Sequence, residues 1–419
     1  MATKTDDRDR IDALDLIRGL AILGVFVMNI RDFSMHLRSF DDPLVAGGAV
    51  HANVVAWCLG NGLFADKMIL ILSMLFGAGI VLIHEHAGLR LEDGSRINRR
   101  RQMALLAIGL LHAYALWFGD ILNTYALGGL LLWPARRAKP VKLFAAGILL
   151  YAVAAVFRQW PMLYRDGIRS WLFDSWSFGL GYGRAKPPMT WTAAYHGTWL
   201  ELAHWRAWLN WYWHVEGFVS FNGWRCLGAM LIGMGFMKAG VLSDHPRPTV
   251  VRRLIVAGYG LGVPLVLLGM NESLAGHAVL GPRFGLRSVT SYENLATIVG
   301  SLLMALGHLG LFLVWNRKSR GSAFAGRIRA VGRMALTCYL LQTVASVLVF
   351  DPWALAQWGE WSFVRQLGFV VAVNTVLLAA APIYLRRFGQ GPIERLWRGF
   401  YRPRRAESVG AISEPSPRS

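Results

Sequence analysis

The sequence predicts an all-α fold, a polytopic membrane helix bundle of about ten transmembrane helices with both termini cytoplasmic. Three observations carry that reading. The 419-residue chain is 54% hydrophobic and 16% charged, with mean hydropathy +0.37, whereas an ordinary soluble domain carries about 25% charged residues. Its 18 tryptophans suit boundaries where apolar and wet surroundings meet. Its basic residues fall in every second loop.

A span needs roughly 20 apolar residues. Taken in order, the apolar runs are 14–30, 64–84, 102–118, 120–134, 141–158, 218–237, 251–270, 292–315, 331–350 and 364–385. A weak amphipathic helix over 52–61 precedes the second. The first ten residues are polar and mixed in charge, and no small-residue cleavage site follows the first run, so that run is read as a retained helix.

The loops then sort by charge. "RLEDGSRINRRR", "ARRAKPVK", the group Lys238, Arg247, Arg252 and Arg253, "RKSRGSAFAGRIR" and "LRRFGQGPIERLWRGFYRPRR" lie on one side. The short loops on the other side hold only Arg31 and Arg38 between the first two runs, none in "FGD", and Arg283 with Arg287 further on. By the positive-inside rule the basic side is cytoplasmic. The formal charge of +19 is therefore a topology signal and an attraction to anionic lipid; it does not point to nucleic acid. The expected location is the bacterial cytoplasmic membrane, crossed many times.

Residues 1–405 are expected to form one integral-membrane domain. Its long extracytoplasmic loop, 160–216, is dense in tryptophan, including "WTAAYHGTWLELAHWRAWLNWYWHVEG", and suits either an interfacial amphipathic helix or a lid over a substrate entrance. The tail 406–419 is small and polar and is expected to be disordered. Cys58, Cys226 and Cys338 are scattered without metal-ligand spacing, so no metal site is expected.

The first run poses a question: "IDALDLIRGLAILGVFVMNIRDFSMH" is polar at both ends. At 100° per residue Arg18 and Asn29 face the same way within about 20°, roughly 16 Å apart along the axis, and Asp15 lies within about 40° of Asn29. Such a stripe is costly against lipid and should face protein or water. Further polar groups converge near its outer end: Lys67, His112 with Asp120, Tyr125 and Arg225, with Gln342 and Asn374 deeper. Convergence of ionisable groups from several helices marks a pore, a proton path or a catalytic pocket. Blander roles stay open for each: an interhelical hydrogen bond for His112, snorkelling for Lys67, an Arg225–Asp120 bridge, and an Asp15–Arg18 pair bonding only one another. His112 and Asp120 are too far apart on a continuous helix, by about 12 Å of rise, unless Gly119 breaks it and Asp120 folds back.

The motifs "LDLIRGLAILGVFVMNI", "LFGAGI", "GLLHAYALWFGDILNTYALGGL", "GWRCLGAMLIGMGFMKAG", "VGRMALTCYLLQT" and "FGQGPIERLWR" resemble, in order and from residue 11 to about 400, the YeiB-like family of bacterial inner-membrane proteins (DUF 418). More distantly, "LDLIRGLAI" followed by a span is similar to the opening of transmembrane acyltransferases such as heparan-alpha-glucosaminide N-acetyltransferase and the acyltransferase-3 proteins. That resemblance implies transfer of an acyl group from cytosolic acyl-CoA to an acceptor across the membrane, with a histidine near the outer part of the bundle. His36 stands roughly where the glucosaminide enzyme has its histidine, at a different spacing; His112 lies within a family motif and is preferred.

On this reading His112, with Asp120, is the general base. Asn29, Lys67, Arg225 and Tyr125 bind substrate, Arg225 or Lys67 serving an oxyanion, and Arg18, Arg99, Arg100 and Arg101 suit the CoA phosphates. Acyl-CoA is then a co-substrate, and no permanently bound cofactor is expected. The expected partners are membrane lipids and an unidentified extracytoplasmic acceptor, with a homodimer left open. The stripe from Arg18 to Asn29 would wall a path for the thioester arm. Gly19, Gly24, Gly77 and Gly79 would either line that path or serve tight helix packing. The competing readings are a transporter or exporter of a small anion or lipid using the same groups, and a noncatalytic assembly protein. "GLGYGR" (179–184) lacks a strand–helix context and is no nucleotide motif.

Overall fold

The computed structural model describes residues 11–45, 47, 50–89, 93–159, 189–276 and 294–401. Every apolar run named above is helical over most of its described length, and no strand occurs among the described residues. The helices are α1 (Asp12–Ser34), α2 (His51–Leu59), α3 (Lys67–Leu89), α4 (Gly94–Ala115), α5 (Leu122–Leu131), α6 (Pro140–Gln159), α7 (Trp191–Tyr195), α8 (Trp199–Trp211), α9 (Gly223–Lys238), α10 (Pro248–Gly276), α11 (Leu295–Lys318), α12 (Ala323–Arg333), α13 (Ala335–Phe350), α14 (Phe363–Phe388) and α15 (Pro392–Tyr401).

Among the described residues, six stretches are long and apolar enough to cross a membrane: α1, α2 continued into α3, α6, α10, α11 and α14. A seventh arises if α12 and α13, bent by 84° at their junction, count as one span. The remaining runs fall short for local reasons. The 22-residue α4 spends its first turns on "RINRRR". The 10-residue α5 reaches only about 15 Å. The 16-residue α9 follows π-helical turns at Tyr212–Glu216 and Phe218–Asn222. The weak helix expected at 52–61 is α2 with a π turn over Gly60–Phe64. The first half of the tryptophan-rich loop (160–188), the loop holding Arg283 and Arg287, and the tail beyond 401 lie outside the described residues.

Helices meet through small residues, as they do where lipid gives no hydrophobic drive to association. A Cβ on Gly77 of α3 would strike the Met230 carbonyl of α9, and one on Gly233 of α9 would strike the Met74 carbonyl of α3. The same reciprocity joins α1 to α12, where Gly19 faces Ile328 and Gly332 faces Asp15. Gly24 packs on Met68 and Phe64. Of the four glycines expected either to line a path or to pack helices, Gly19, Gly24 and Gly77 thus serve packing. Only Gly79 stands on an open wall, with the nearest atom to a Cβ being Arg101 Nη2 at 3.7 Å.

The sharp α12–α13 junction has its own support. Met334 at the start of α13 offers no side-chain cap. Glu394 of α15 supplies one instead. Its Oε1 accepts from the Leu336 and Thr337 backbone N–H groups at 2.8 and 3.0 Å, and its Oε2 from the Thr337 hydroxyl. A carboxylate at a helix N-terminus satisfies donors that no intrahelical carbonyl reaches.

Candidate functional site

One cavity of about 1860 Å3 runs beside α1. Its α1 wall is Ile11, Leu14, Asp15, Arg18, Ile22, Val25, Met28, Asn29 and Asp32, a stripe at helical spacing that covers roughly 32 Å of axis. Asp15, Arg18 and Asn29, which share a face by helical geometry, all lie on it. α3 contributes Ile69, Leu72, Phe76 and Gly79 to the same cavity, α4 Arg101 and Leu105, and α13 Leu336 and Tyr339.

At the Asp15 end the cavity is lined by arginines from four helices: Arg18, Arg101, Arg333, Arg395 and Arg398. Arg18 donates to Asp15 Oδ1 at 3.0 Å. Arg101 is clamped between the Phe76 and Trp397 rings, each 4.8 Å from its guanidinium carbon. Its Nη1 is buried without a hydrogen-bond partner among the described residues. The facing carboxylates are committed, Asp15 to Arg18 and Glu394 to the start of α13, so this end carries an excess of positive charge. Arg99 and Arg100 point outward and are exposed; Arg100 edges a separate apolar groove with Leu396 and Phe400. Among the three arginines Arg99, Arg100 and Arg101, Arg101 alone reaches the cavity. Arg395, Trp397 and Arg398 were not singled out in the sequence, because a basic stretch after the last span reads as a topology signal.

At the Asn29 end the wall carries Asp32, Asp41, Asp66, Asp120, Tyr125, His214 and Arg225. Arg225 pairs with Asp66, not with Asp120, and also donates to Asn222 Oδ1 at 3.0 Å. Asp66 holds a left-handed backbone, φ 64°, at the break between the π turn and α3. Tyr125 donates to the Ile69 carbonyl at 3.2 Å and accepts from Ser73 at 3.3 Å. Lys67 is fully buried behind the wall, where Nζ donates to the Asn61 carbonyl at 2.7 Å. Arg31, also buried, donates to Asn61 Oδ1 at 2.6 Å. His36 stands off the cavity against Trp191, ring centroids 5.3 Å apart, and burial lowers its pKa with help from Arg38.

His112 and Asp120 are brought together. α4 ends at Ala115, the chain turns through residues 116–121, and Asp120 folds back so that Oδ1 lies 2.8 Å from His112 Nδ1. Asp120 Oδ2 accepts from the Asn123 N–H at 2.9 Å. The other ring nitrogen, Nε2, lies 3.0 Å from Thr343 Oγ1 of α13. Asp120 is in the cavity wall; His112 sits just behind it, beside Trp117 and Tyr339, and Thr343 lies beyond the wall with it. Among the described residues no group of three or more His, Cys, Asp and Glu side chains is placed to hold a metal ion.

The second half of the tryptophan-rich loop packs on this end of the bundle. α8 buries Leu202, Trp205, Arg206, Leu209 and Asn210, and Trp213 and His214 reach the cavity. Arg206 donates to both oxygens of Asp351 at 2.7 Å, with both side chains buried. Asp351→Ala strands the Arg206 charge and is expected to cost about 3–5 kcal/mol. Hydrogen exchange would then quicken in 199–216 while α1 and α3 stay protected; uniform exchange at the wild-type rate would refute this pinning.

A family model described as "Protein of unknown function (DUF418)" matches residues 236–402. The chain is 32% identical over 396 residues to the "Uncharacterized 39.9 kDa protein in amylase 3'region" of Bacillus acidopullulyticus, covering 93% of each. The chain belongs to the DUF418 family. Within the family it is 29% identical over 404 residues to the "Uncharacterized protein YeiB" of Escherichia coli (strain K12), covering 93% of this chain and 96% of that one. It is 28% identical over 410 residues to the "Uncharacterized protein YxaH" of Bacillus subtilis (strain 168), covering 93% and 94%. The family model's residues 236–402 include Arg333, Arg395, Trp397 and Arg398 of the arginine-lined cavity end. None of the three relatives' names assigns a chemistry.

Proposed function

We propose that this DUF418 protein is a transmembrane acyltransferase of the bacterial cytoplasmic membrane. It would take an acyl group from cytosolic acyl-CoA and deliver it to an extracytoplasmic glycan, lipid or small acceptor. The observation that carries the reading is the single cavity joining an arginine-lined end to the carboxylate of the His112–Asp120 pair. On the charge pattern of the loops, both termini and the arginine-lined end are cytoplasmic. Phosphates of the donor bind Arg18 and Arg101 there, where Arg395 and Arg398 add field and Trp397 offers a stacking face. The thioester arm lies along the Arg18–Asn29 stripe. Its carbonyl arrives near Asn29, whose amide can donate to it, and near Arg225, whose charge favours an oxyanion. His112, oriented by Asp120, manages the proton. Arg99, Arg100 and Lys67 have no contact with the donor in this scheme.

Calorimetry with CoA and acetyl-CoA on detergent-purified protein tests the donor site. Arg101→Met keeps the stem between its two rings but loses the charge, and is expected to weaken binding roughly 30-fold. Absence of CoA binding up to about a millimolar would overturn the proposal. Substrate flux in proteoliposomes would then decide for transport of an anion or lipid through the same cavity.

A further inference from the structure

We propose that Thr343 is the nucleophile that carries the acyl group between donor and acceptor, as an ester on Oγ1. The inference rests on the acyl-transfer reading and deepens it. Both ring nitrogens of His112 are engaged: Nδ1 with Asp120 at 2.8 Å and Nε2 with Thr343 at 3.0 Å. An ionised carboxylate only accepts, so the Asp120 contact puts the proton on Nδ1 and leaves the lone pair on Nε2. Thr343 then donates to Nε2. Its alternative acceptor, the Tyr339 carbonyl one turn back, is farther, at 3.4 Å. A threonine inside a helix ordinarily bonds that i−4 carbonyl, as Thr375 does to Val371 at 2.8 Å; Thr343 turns its hydroxyl to the histidine instead. While these bonds hold, the one proton His112 can accept is that of Thr343. Carboxylate, imidazole and hydroxyl thus come in the order used by enzymes that activate a hydroxyl for acyl transfer.

The cavity reaches Asp120 but ends one aromatic layer short of His112 and Thr343. Tyr339 and Trp117 line it, with ring centroids 5.2 and 6.1 Å from that of His112. A turn of the Tyr339 side chain, one helical turn before Thr343, opens the way for a thioester carbonyl. Thr343 Oγ1 then attacks the carbonyl carbon while its proton passes to His112 Nε2. The C–S bond breaks, and the CoA sulfur leaves with the proton from His112. In the second half an acceptor hydroxyl or amine gives its proton to His112 and attacks the ester, and Thr343 Oγ1 leaves, recovering the proton. Acyl-CoA and acceptor become CoA thiol and acylated acceptor, and the protein is unchanged. Burial of Thr343, which is 1% exposed, keeps water from the ester between the halves.

The test is mass spectrometry of the full-length protein in nanodiscs, incubated with acetyl-CoA and no acceptor. A gain of one acetyl group, lost with hydroxylamine and mapped to the α13 peptide holding Thr343, is expected. Thr343→Val preserves the shape, removes the hydroxyl, and should abolish the adduct and cut CoA release roughly 1000-fold. Thr343→Ser should still form the adduct, so the Val result is not read as misfolding. Binding of acetyl-CoA with no adduct, or Thr343→Val releasing CoA at the wild-type rate, overturns the nucleophile and leaves acyl transfer standing. Absence of acetyl-CoA binding overturns both.

Discussion

His112→Asn will abolish acyl transfer while leaving a folded protein. The asparagine amide still donates to Asp120 Oδ1, which would otherwise lose its partner, but the basic nitrogen is gone. A positioned general base contributes roughly 100- to 10,000-fold, and release of CoA from acetyl-CoA is expected to fall within that range. Yield and size-exclusion profile should match wild type. A variant that aggregates, yet whose folded fraction releases CoA at the normal rate, would show that His112 is an interhelical tie and no more. His112→Ala is the poorer test, since it removes the ring's bonds to both Asp120 and Thr343.

Gly77→Leu and Gly79→Leu should part company although they are neighbours on α3. A side chain at 77 meets the Met230 carbonyl of α9, main chain that yields only if the helices separate. That variant is expected to give no monodisperse protein in detergent. A side chain at 79 enters the cavity beside Arg101. It should leave the fold intact and suppress acyl transfer by narrowing the path. A stable, active Gly77→Leu would refute the helix contact, and a stable Gly79→Leu with full activity would refute the path. Gly24→Leu cannot make this distinction, because Gly24 packs against Met68 and Phe64.

What the sequence discloses depends on how local the physics is. The α1 stripe was legible because side-chain direction on a helix follows from residue spacing alone; Asp15, Arg18 and Asn29 share the cavity wall as that spacing requires. The His112–Asp120 contact was half legible, since eight residues and a glycine permit a fold-back without dictating it. Thr343 was not legible, being 231 residues from His112 in sequence and one hydroxyl among many in apolar helices. Nor was the partner of Arg225, because Asp66 comes from a break in a different helix. Lys67 shows the converse: a lysine in an apolar run attracts a functional reading, yet its Nζ donates to a nearby backbone carbonyl. Charge counts along the chain could not tell Arg101 from Arg99 and Arg100; helical phase and the rings of Phe76 and Trp397 do.

The Glu394 contact also sets an order of assembly. Chains leave the ribosome N-terminus first, so α1, α3 and α4 are in place long before α15 exists. Until residues 392–401 emerge, the first turn of α13 lacks the carboxylate that receives its N–H groups, and Arg101 lacks one of its two flanking rings. The basic mouth is therefore completed only when α15, the last of the described helices, has been made. A nascent chain stalled before Pro392 would present the membrane with a helix bundle whose arginine-lined wall is still incomplete.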